Sequence, residues 1–494
     1  MIEELLAQIH PGRAALYVSK EISKLGYRAP RIRFCLPWAI DFLYGASKAN
    51  GDGTDHVFLH QAILNAKGAT QLDCVKTAEL NGGITRRVIL TKDPENIKAI
   101  LTGQFADYGK GEEFHEQWKD FLGDSIFATD GELWSRSRHL IRPMFVRDRI
   151  VDTEIFEKHV QNLIPLLDGS NSLSASKVVD VGSLFFRFTL DAATDYLLGV
   201  GTNSLHNPET RFAEAFGYVK HRQSEIFRLG DGISMFSFIV TKRKFRRELK
   251  VMDDFIQPYI KRALSLTPSE LNQKISKRET FLDALARFTR DPRVLRDQIV
   301  AVLLAGRDTT AAVLSFCVFE LARNPDVVAK LREEISARLD HAPLPPVPFN
   351  VRYSLRDTTL PRGGGSDGHS PVGVRANTRV IYSTMIMQRS AENYDPPGSP
   401  NYFDPEKWLP DRWLSGWQPK PWQICLGQQF ATIEMGYTVV RILQAFDRIQ
   451  AMPANGKERV EDPVLKFEVT LSPGSELNCV FVREGEDILP LKDD

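Results

Sequence analysis

Apolar residues recur at helical spacing over most of the chain, and short alternating runs cluster towards its two ends. The earliest such runs are Cys74–Leu80 and Ile84–Thr91, separated by Asn81-Gly82-Gly83, which predicts a hairpin. Asp93-Pro94-Glu95 then starts a helix, with Asp as cap and Pro at the first helical position. Residues 111–165 read as several helices. The polar stretch 170–176 is a loop, and Val179–Leu198 is an apolar-rich helix. Asp291-Pro292 opens the longest helix, which runs to Arg323 and stops at Asn324-Pro325. At 1.5 Å per residue it is about 50 Å long. Ile299–Ala305 is apolar on every face, so its middle is expected to be buried. A charged amphipathic helix follows over Asp326–Leu339. Pro343, Pro345, Pro346 and Pro348 then enforce an extended segment. Val372–Met387 alternates like strand. Lys466–Leu471 and Glu476–Val482 flank Ser472-Pro473-Gly474-Ser475 as a second hairpin. The expectation is a mainly α chain with small β-sheets near its N- and C-terminal parts.

Composition narrows the class. With 494 residues, 43% hydrophobic and 26% charged, the chain is ordinary globular protein. Lys+Arg and Asp+Glu are both 63, so no basic surface for nucleic acid is implied. The five cysteines are scattered, without finger spacing or a secretory pattern, which favours a reducing compartment. Residues 1–27 carry too many charges for a transmembrane helix or signal peptide. They form a separate N-terminal segment suited at most to peripheral membrane contact, ahead of a single domain over 28–494. The patch Phe34–Tyr44 is apolar but too short to span a bilayer.

Three stretches carry candidate chemistry. Cys425 stands just before an apolar helix, where unpaired N–H groups and the helix dipole favour a thiolate. Such a thiolate serves as nucleophile, redox centre or metal ligand; the alternative is a small buried apolar residue. Ala305-Gly306-Arg307-Asp308-Thr309-Thr310 lies mid-way along the long helix. Glycine there costs about 1 kcal/mol relative to alanine, unless a flat ligand uses the space. An acid beside an alcohol relays protons to such a ligand; the alternative is close packing of small residues against another helix. Trp134 and Arg138 are one turn apart on one face, a donor pair suited to carboxylates. The competing reading is a surface Arg stacked on Trp. Phe105, Phe127 and Phe186 are pocket candidates without an assigned role.

Together these stretches resemble the cytochrome P450 family of haem-thiolate monooxygenases. Trp134/Arg138, Gly306/Asp308/Thr309 and Cys425/Gly427 stand in the family's order and at its wide separations, and Phe403-Asp404-Pro405-Glu406-Lys407-Trp408 is similar to its Phe-x-Pro-Glu-Arg-Phe/Trp stretch. Leu122–Phe127, Asn350-Val351-Arg352 and Asp357–Gly365 look most like the fungal enzymes that hydroxylate n-alkanes and fatty acids. The resemblance implies a P450-like fold with haem b ligated by Cys425. Its propionates would be held by Trp134, Arg138 and Arg352, with Gly427 in the haem loop. Gly306 would make room for O2, and Asp308 and Thr309 would relay protons. It implies electrons from NADPH–cytochrome P450 reductase, a hydrophobic small-molecule substrate and a place on the cytoplasmic face of the endoplasmic reticulum.

The chain departs from the family pattern twice. The Glu-x-x-Arg helix before the proline-rich segment is missing, with an apparent deletion near 340–343. Glu334 and Arg338 are four apart, and Lys407 stands where the partner arginine is expected, leaving Arg412 as a substitute. In the haem loop Gln418, Pro421 and Gln423 replace Phe, Gly and Arg. Either a gene model lacks short segments, or the protein is a degenerate, non-catalytic member that binds an apolar ligand or a partner.

Overall fold

The computed structural model describes residues 11–66, 75–81, 87–145, 153–169, 177–229, 242–273, 279–337, 349–365, 368–399, 402–413, 425–454 and 459–486. The principal helices are α1 (Pro11–Leu25), α2 (Ile40–Gly51), α3 (Gly111–Leu122), α4 (Gly131–Ile141), α5 (Glu154–Leu167), α6 (Val181–Leu198), α7 (Arg211–Leu229), α8 (Lys242–Ser265), α9 (Pro292–Arg323), α10 (Pro325–Ala337), α11 (Thr384–Gln388) and α12 (Gln428–Ala445). The strands are β1 (Thr77–Leu80), β2 (Val88–Thr91), β3 (Tyr108–Gly109), β4 (Val179–Asp180), β5 (Asn350–Ser354), β6 (Thr358–Gly364), β7 (Ser370–Val374), β8 (Arg379–Tyr382), β9 (Arg448–Ala451), β10 (Leu465–Phe467), β11 (Leu471–Pro473) and β12 (Asn478–Val482).

Helix α9 organises the chain. The Asp291 carboxylate accepts from the N–H groups of Arg293 and Val294, and Pro292 supplies a fixed φ where no intrahelical N–H bond is needed. Its N-terminal half (Leu295, Ile299, Val300, Leu303, Leu304) belongs to one core with α3, α4, α7, α8 and Tyr353 of β5. Its C-terminal half (Ala311, Leu314, Val318, Phe319, Leu321) belongs to a second core with α5, α6, α12 and β12. The turns from Ala305 to Thr310 belong to neither. Among the described residues α9 is also the one helix long and apolar enough to cross a membrane, but 67% of its most apolar window is buried inside the protein.

A five-stranded sheet runs in the order β1-β2-β8-β5-β3, with β2 and β8 parallel and the other pairs antiparallel. β12 pairs with β4 and β9, and β6–β7 and β10–β11 are separate hairpins. The Val372–Met387 alternation does not form one strand. Asn377 takes a left-handed φ of 61°, which divides it into β7 and β8, and the Ser383 hydroxyl caps α11. The second expected hairpin does not form: Lys466 lies in β10, which turns at residues 468–470 to pair with β11 (Leu471–Pro473), whereas Asn478–Val482 pairs with β4 and β9 in another sheet. Pro473 sits at the strand end, opposite Leu465, where its missing N–H breaks no ladder. α1 packs on the β6–β7 hairpin through buried Ile22, with Tyr27 N–H donating to the Pro371 carbonyl at 2.9 Å. A Cβ at Gly26 would lie 2.9 Å from the Gly373 nitrogen, so the close approach requires glycine.

Candidate functional site

Between its two cores α9 has an accessible stripe. Val302, Ala305, Gly306, Thr309, Val313 and Phe316 are all partly exposed, whereas Leu303, Leu304, Asp308, Thr310, Ala311 and Leu314 are buried. The intervals are those of one helix face. The sequence expectation that the middle is buried therefore fails along this stripe, at Val302 and Ala305 within Ile299–Ala305, and holds for the other residues of that run. A Cβ built on Gly306 meets nothing within 4 Å. Gly306 thus stands on open space and not on helix packing, contrary to the close-packing alternative. Thr309 Oγ1 donates to the Ala305 carbonyl at 2.6 Å, so its lone pairs point away from that bond.

Cys425 immediately precedes α12, two residues ahead of its N-terminal cap Gly427. It is exposed. Burial by surrounding protein nonetheless pushes its thiol up, against the lowering effects of the Gly427 N–H, the Arg138 charge and the Gln428 N–H. The expected bias towards thiolate is present in its causes but is outweighed here by burial. A cationic metal at the sulfur reverses that balance.

A set of donors converges around the start of α4. Arg138 lies over the Trp134 ring at 5.6 Å, and Trp134 packs on Phe105 with centroids 5.3 Å apart. Neither Arg138 nor the Trp134 indole N–H has a hydrogen-bond partner among the described residues. Asp130, just before α4, accepts from the backbone N–H groups of Lys110 and Gly111, both at 2.7 Å. Asp130 thereby joins the Lys110 backbone to the start of α4, and the Lys110 ammonium lies over the Phe114 ring at 5.0 Å. That ammonium is held well below its ordinary range, by burial first and then by the Arg352 charge, and it makes no ion pair among the described residues. Arg352, on β5, is buried and donates to Asn350 Oδ1 (2.8 Å) and the Val351 carbonyl (2.9 Å), but meets no carboxylate there. The Tyr382 hydroxyl is buried beside Arg352 without a partner.

The charges of Arg352, which is buried, and Lys110, which is partly exposed, repel each other unless an anion lies between them. Lys110, Arg138, Arg352, the Trp134 N–H and the Tyr382 hydroxyl are donors of the kind that the two carboxylates of a haem would need, and the Cys425 sulfur is of the kind that its iron would need. Lys110 and Tyr382 escape a sequence reading because their signal is spatial: among the described residues the ammonium meets a ring but no carboxylate, and the hydroxyl meets no partner.

Asp308 does not reach the stripe. It is fully buried and ion-paired to Lys220 at 2.8 Å and to Arg307 at 3.0 Å. Phe186 lies under both cations, while Phe105 and Phe127 are exposed. Arg412 is buried and donates to the carbonyls of Asp404, Lys407 and Leu409, so it organises its own loop; Lys407 reaches only Asp404, at 3.6 Å. Gln418, Pro421, Gln423, Arg338 and the 340–343 gap lie outside the described residues.

Comparison with known proteins decides the family. The cytochrome P450 family model matches residues 82–343 and 344–474. The chain belongs to the cytochrome P450 family. The cytochrome P450 monooxygenase pvhE of Talaromyces variabilis is 43% identical, over 92% of this chain and 90% of that protein. Cytochrome P450 52A13 of Debaryomyces hansenii is 39% identical over 74% and 76% of the two chains, and cytochrome P450 52A1 of Candida tropicalis 38% over 80% and 78%. The fold matches the crystal structure of the cytochrome P450DA heme domain with a TM-score of 0.69, 16% identity and coverage of 93% and 98%. As a P450 the chain is a haem enzyme that places one atom of O2 into its substrate. The family match parts between Pro343 and Leu344, beside the place where the sequence lacks the expected Glu-x-x-Arg pattern.

Proposed function

We propose that this P450 hydroxylates an elongated hydrophobic substrate of the alkane or fatty-acid type, using haem b bound through Cys425 and electrons from NADPH–cytochrome P450 reductase. The observation that carries this reading is the accessible stripe of α9. It is apolar at Val302, Ala305, Val313 and Phe316, bare at Gly306, and offers one hydroxyl, Thr309. Such a wall binds hydrocarbon by burial and carries no donor set for a polar ligand. The sequence likeness to fungal alkane and fatty-acid hydroxylases supports the same class.

The bound haem supplies O2 activation, and its thiolate ligand favours O–O cleavage. The protein's residues do the rest. Lys110, Arg138, Arg352 and Trp134 hold the propionates. Gly306 leaves room beside the helix backbone. For Thr309 Oγ1 to pass a proton towards the open side of the helix, its hydrogen must leave the Ala305 carbonyl; Asp308, buried between Lys220 and Arg307, is held as a carboxylate and does not face it. We assign the enzyme to the endoplasmic reticulum surface on the same likeness.

The test is a CO difference spectrum of the reduced, purified full chain. The red-shifted band of a thiolate-ligated haem is the expected result, and its absence overturns the reading. That outcome would favour the non-catalytic reading suggested by Gln418, Pro421 and Gln423.

A further inference from the structure

A buried ion network joins three elements above the accessible turn of α9. Lys220 on α7 is only 7% exposed. Its ammonium lies 2.8 Å from Asp308 on α9 and 2.9 Å from Glu468, in the bend of the β10–β11 hairpin. Asp308 also meets Arg307. Glu468 also meets Lys466 at 2.8 Å and His221 at 2.9 Å. The side chains of Asp308 and Glu468 are 0% and 6% exposed. Helix α6 contributes Phe186 beneath Lys220 and Arg307, and the Thr189 hydroxyl, which donates to the Arg307 carbonyl at 3.0 Å. No further charged group is ion-paired into the cluster among the described residues.

We propose that Lys220 is a positioning residue for the oxygenation reaction: its ammonium, shared by Asp308 and Glu468, ties α7 and the β10–β11 hairpin onto the turn of α9 that carries Gly306 and Thr309. The proposal rests on the reading of that turn as the reacting wall. Two carboxylates that share one ammonium lie within about 6 Å of each other, close enough for each to oppose the other's charge when the cation is gone. The tie therefore adds one shared cation between them to those each has of its own, Arg307 on Asp308 and Lys466 and His221 on Glu468. Burial alone would lower the Lys220 ammonium, but Asp308 and Glu468 raise it; burial alone would raise Glu468, but Lys220, Lys466 and His221 bring it down to about 2. Asp308 keeps Arg307 without Lys220, so loss of the tie falls mainly on the hairpin and α7.

The experiment compares the wild-type holoenzyme with K220M, K220R and the double variant K220M/E468Q. Binding of 1-dodecanol, which is uncharged at every pH used, is read from the Soret shift between pH 6 and 8.5. Thermal midpoints and product formed per NADPH are measured on the same samples. In K220M one carboxylate of the pair takes up a proton at low pH. Dodecanol binding is then expected to weaken tenfold or more at pH 8 and to recover towards pH 6. The thermal midpoint should fall increasingly below wild type as pH rises, and product per NADPH should drop several-fold. K220R should stay within threefold of wild type. K220M/E468Q should lose the added pH dependence, which a purely packing role of Lys220 would not produce. The proposal is overturned if K220M follows the wild-type pH profile, or if K220M/E468Q behaves as K220M does. Should the wild type lack a thiolate-haem band, the functional reading fails by itself, and the thermal midpoints still judge the tie.

Discussion

Glu434 lies on α12, nine residues beyond Cys425, on a face it shares with Phe430, Met435, Thr438 and Ile442. It is 2% exposed, and its carboxyl has no hydrogen-bond partner among the described residues. Burial pushes it up from 4.5 to about 8. The folded state therefore holds a proton that the unfolded state releases. Stability from this group is full below the unfolded value near 4.5 and is lost progressively as pH rises to about 8. Each pH step in that window removes about 1.4 kcal/mol, so at pH 7 the penalty is about 3 kcal/mol and at pH 5 below about 1 kcal/mol. Glu434→Gln keeps the volume and removes the titration. In urea denaturation the variant should match wild type at pH 5 and exceed it by about 3 kcal/mol at pH 7. A stability gap that stays within about 0.5 kcal/mol from pH 5 to pH 8 would refute a neutral buried acid at this position.

Other outcomes follow from the site. Arg138→Leu removes a guanidinium that meets the Trp134 ring but no carboxylate among the described residues, so the chain's own stability should move by less than about 1 kcal/mol while the haem-to-protein absorbance ratio falls several-fold. Gly306→Ala fills open space on a helix and should stabilise by up to about 1 kcal/mol in thermal melts, yet weaken the Soret response to dodecanol. Thr309→Val should leave binding within about threefold and lower product per NADPH in a coupled assay, because only the hydroxyl that donates to Ala305 is lost.

Local signals were legible in the sequence wherever one residue type fixes one geometry. Asp291-Pro292 and Asp93-Pro94 both cap helices as their chemistry requires, and the cap side chains accept the expected N–H groups. Alternation misled where period two continued across a turn. Val372–Met387 contains two strands and a helix because the bend at Asn377 leaves no gap in the pattern. The site divides in the same way. Cys425, Gly306, Thr309, Trp134 and Arg138 stand in short motifs. Lys110, Tyr382 and the Lys220–Glu468 pair do not, since their meaning lies in partners up to 248 residues away or in the lack of a polar partner among the described residues. Asp308 was legible as an acid beside an alcohol, but its burial between Lys220 and Arg307 depends on α7 and was not.

The division of α9 between two cores has a mechanical consequence. A beam held at both ends and along one side can neither translate nor twist. Here that side is the face of Asp308, tied to Lys220, with the Arg307 carbonyl accepting from Thr189, while the face of Gly306 is open. Slow amide exchange should therefore run without a break from Leu303 to Leu314 until the whole domain opens. The helix meets ligands of different girth as a fixed wall, so accommodation falls to whatever packs across from it.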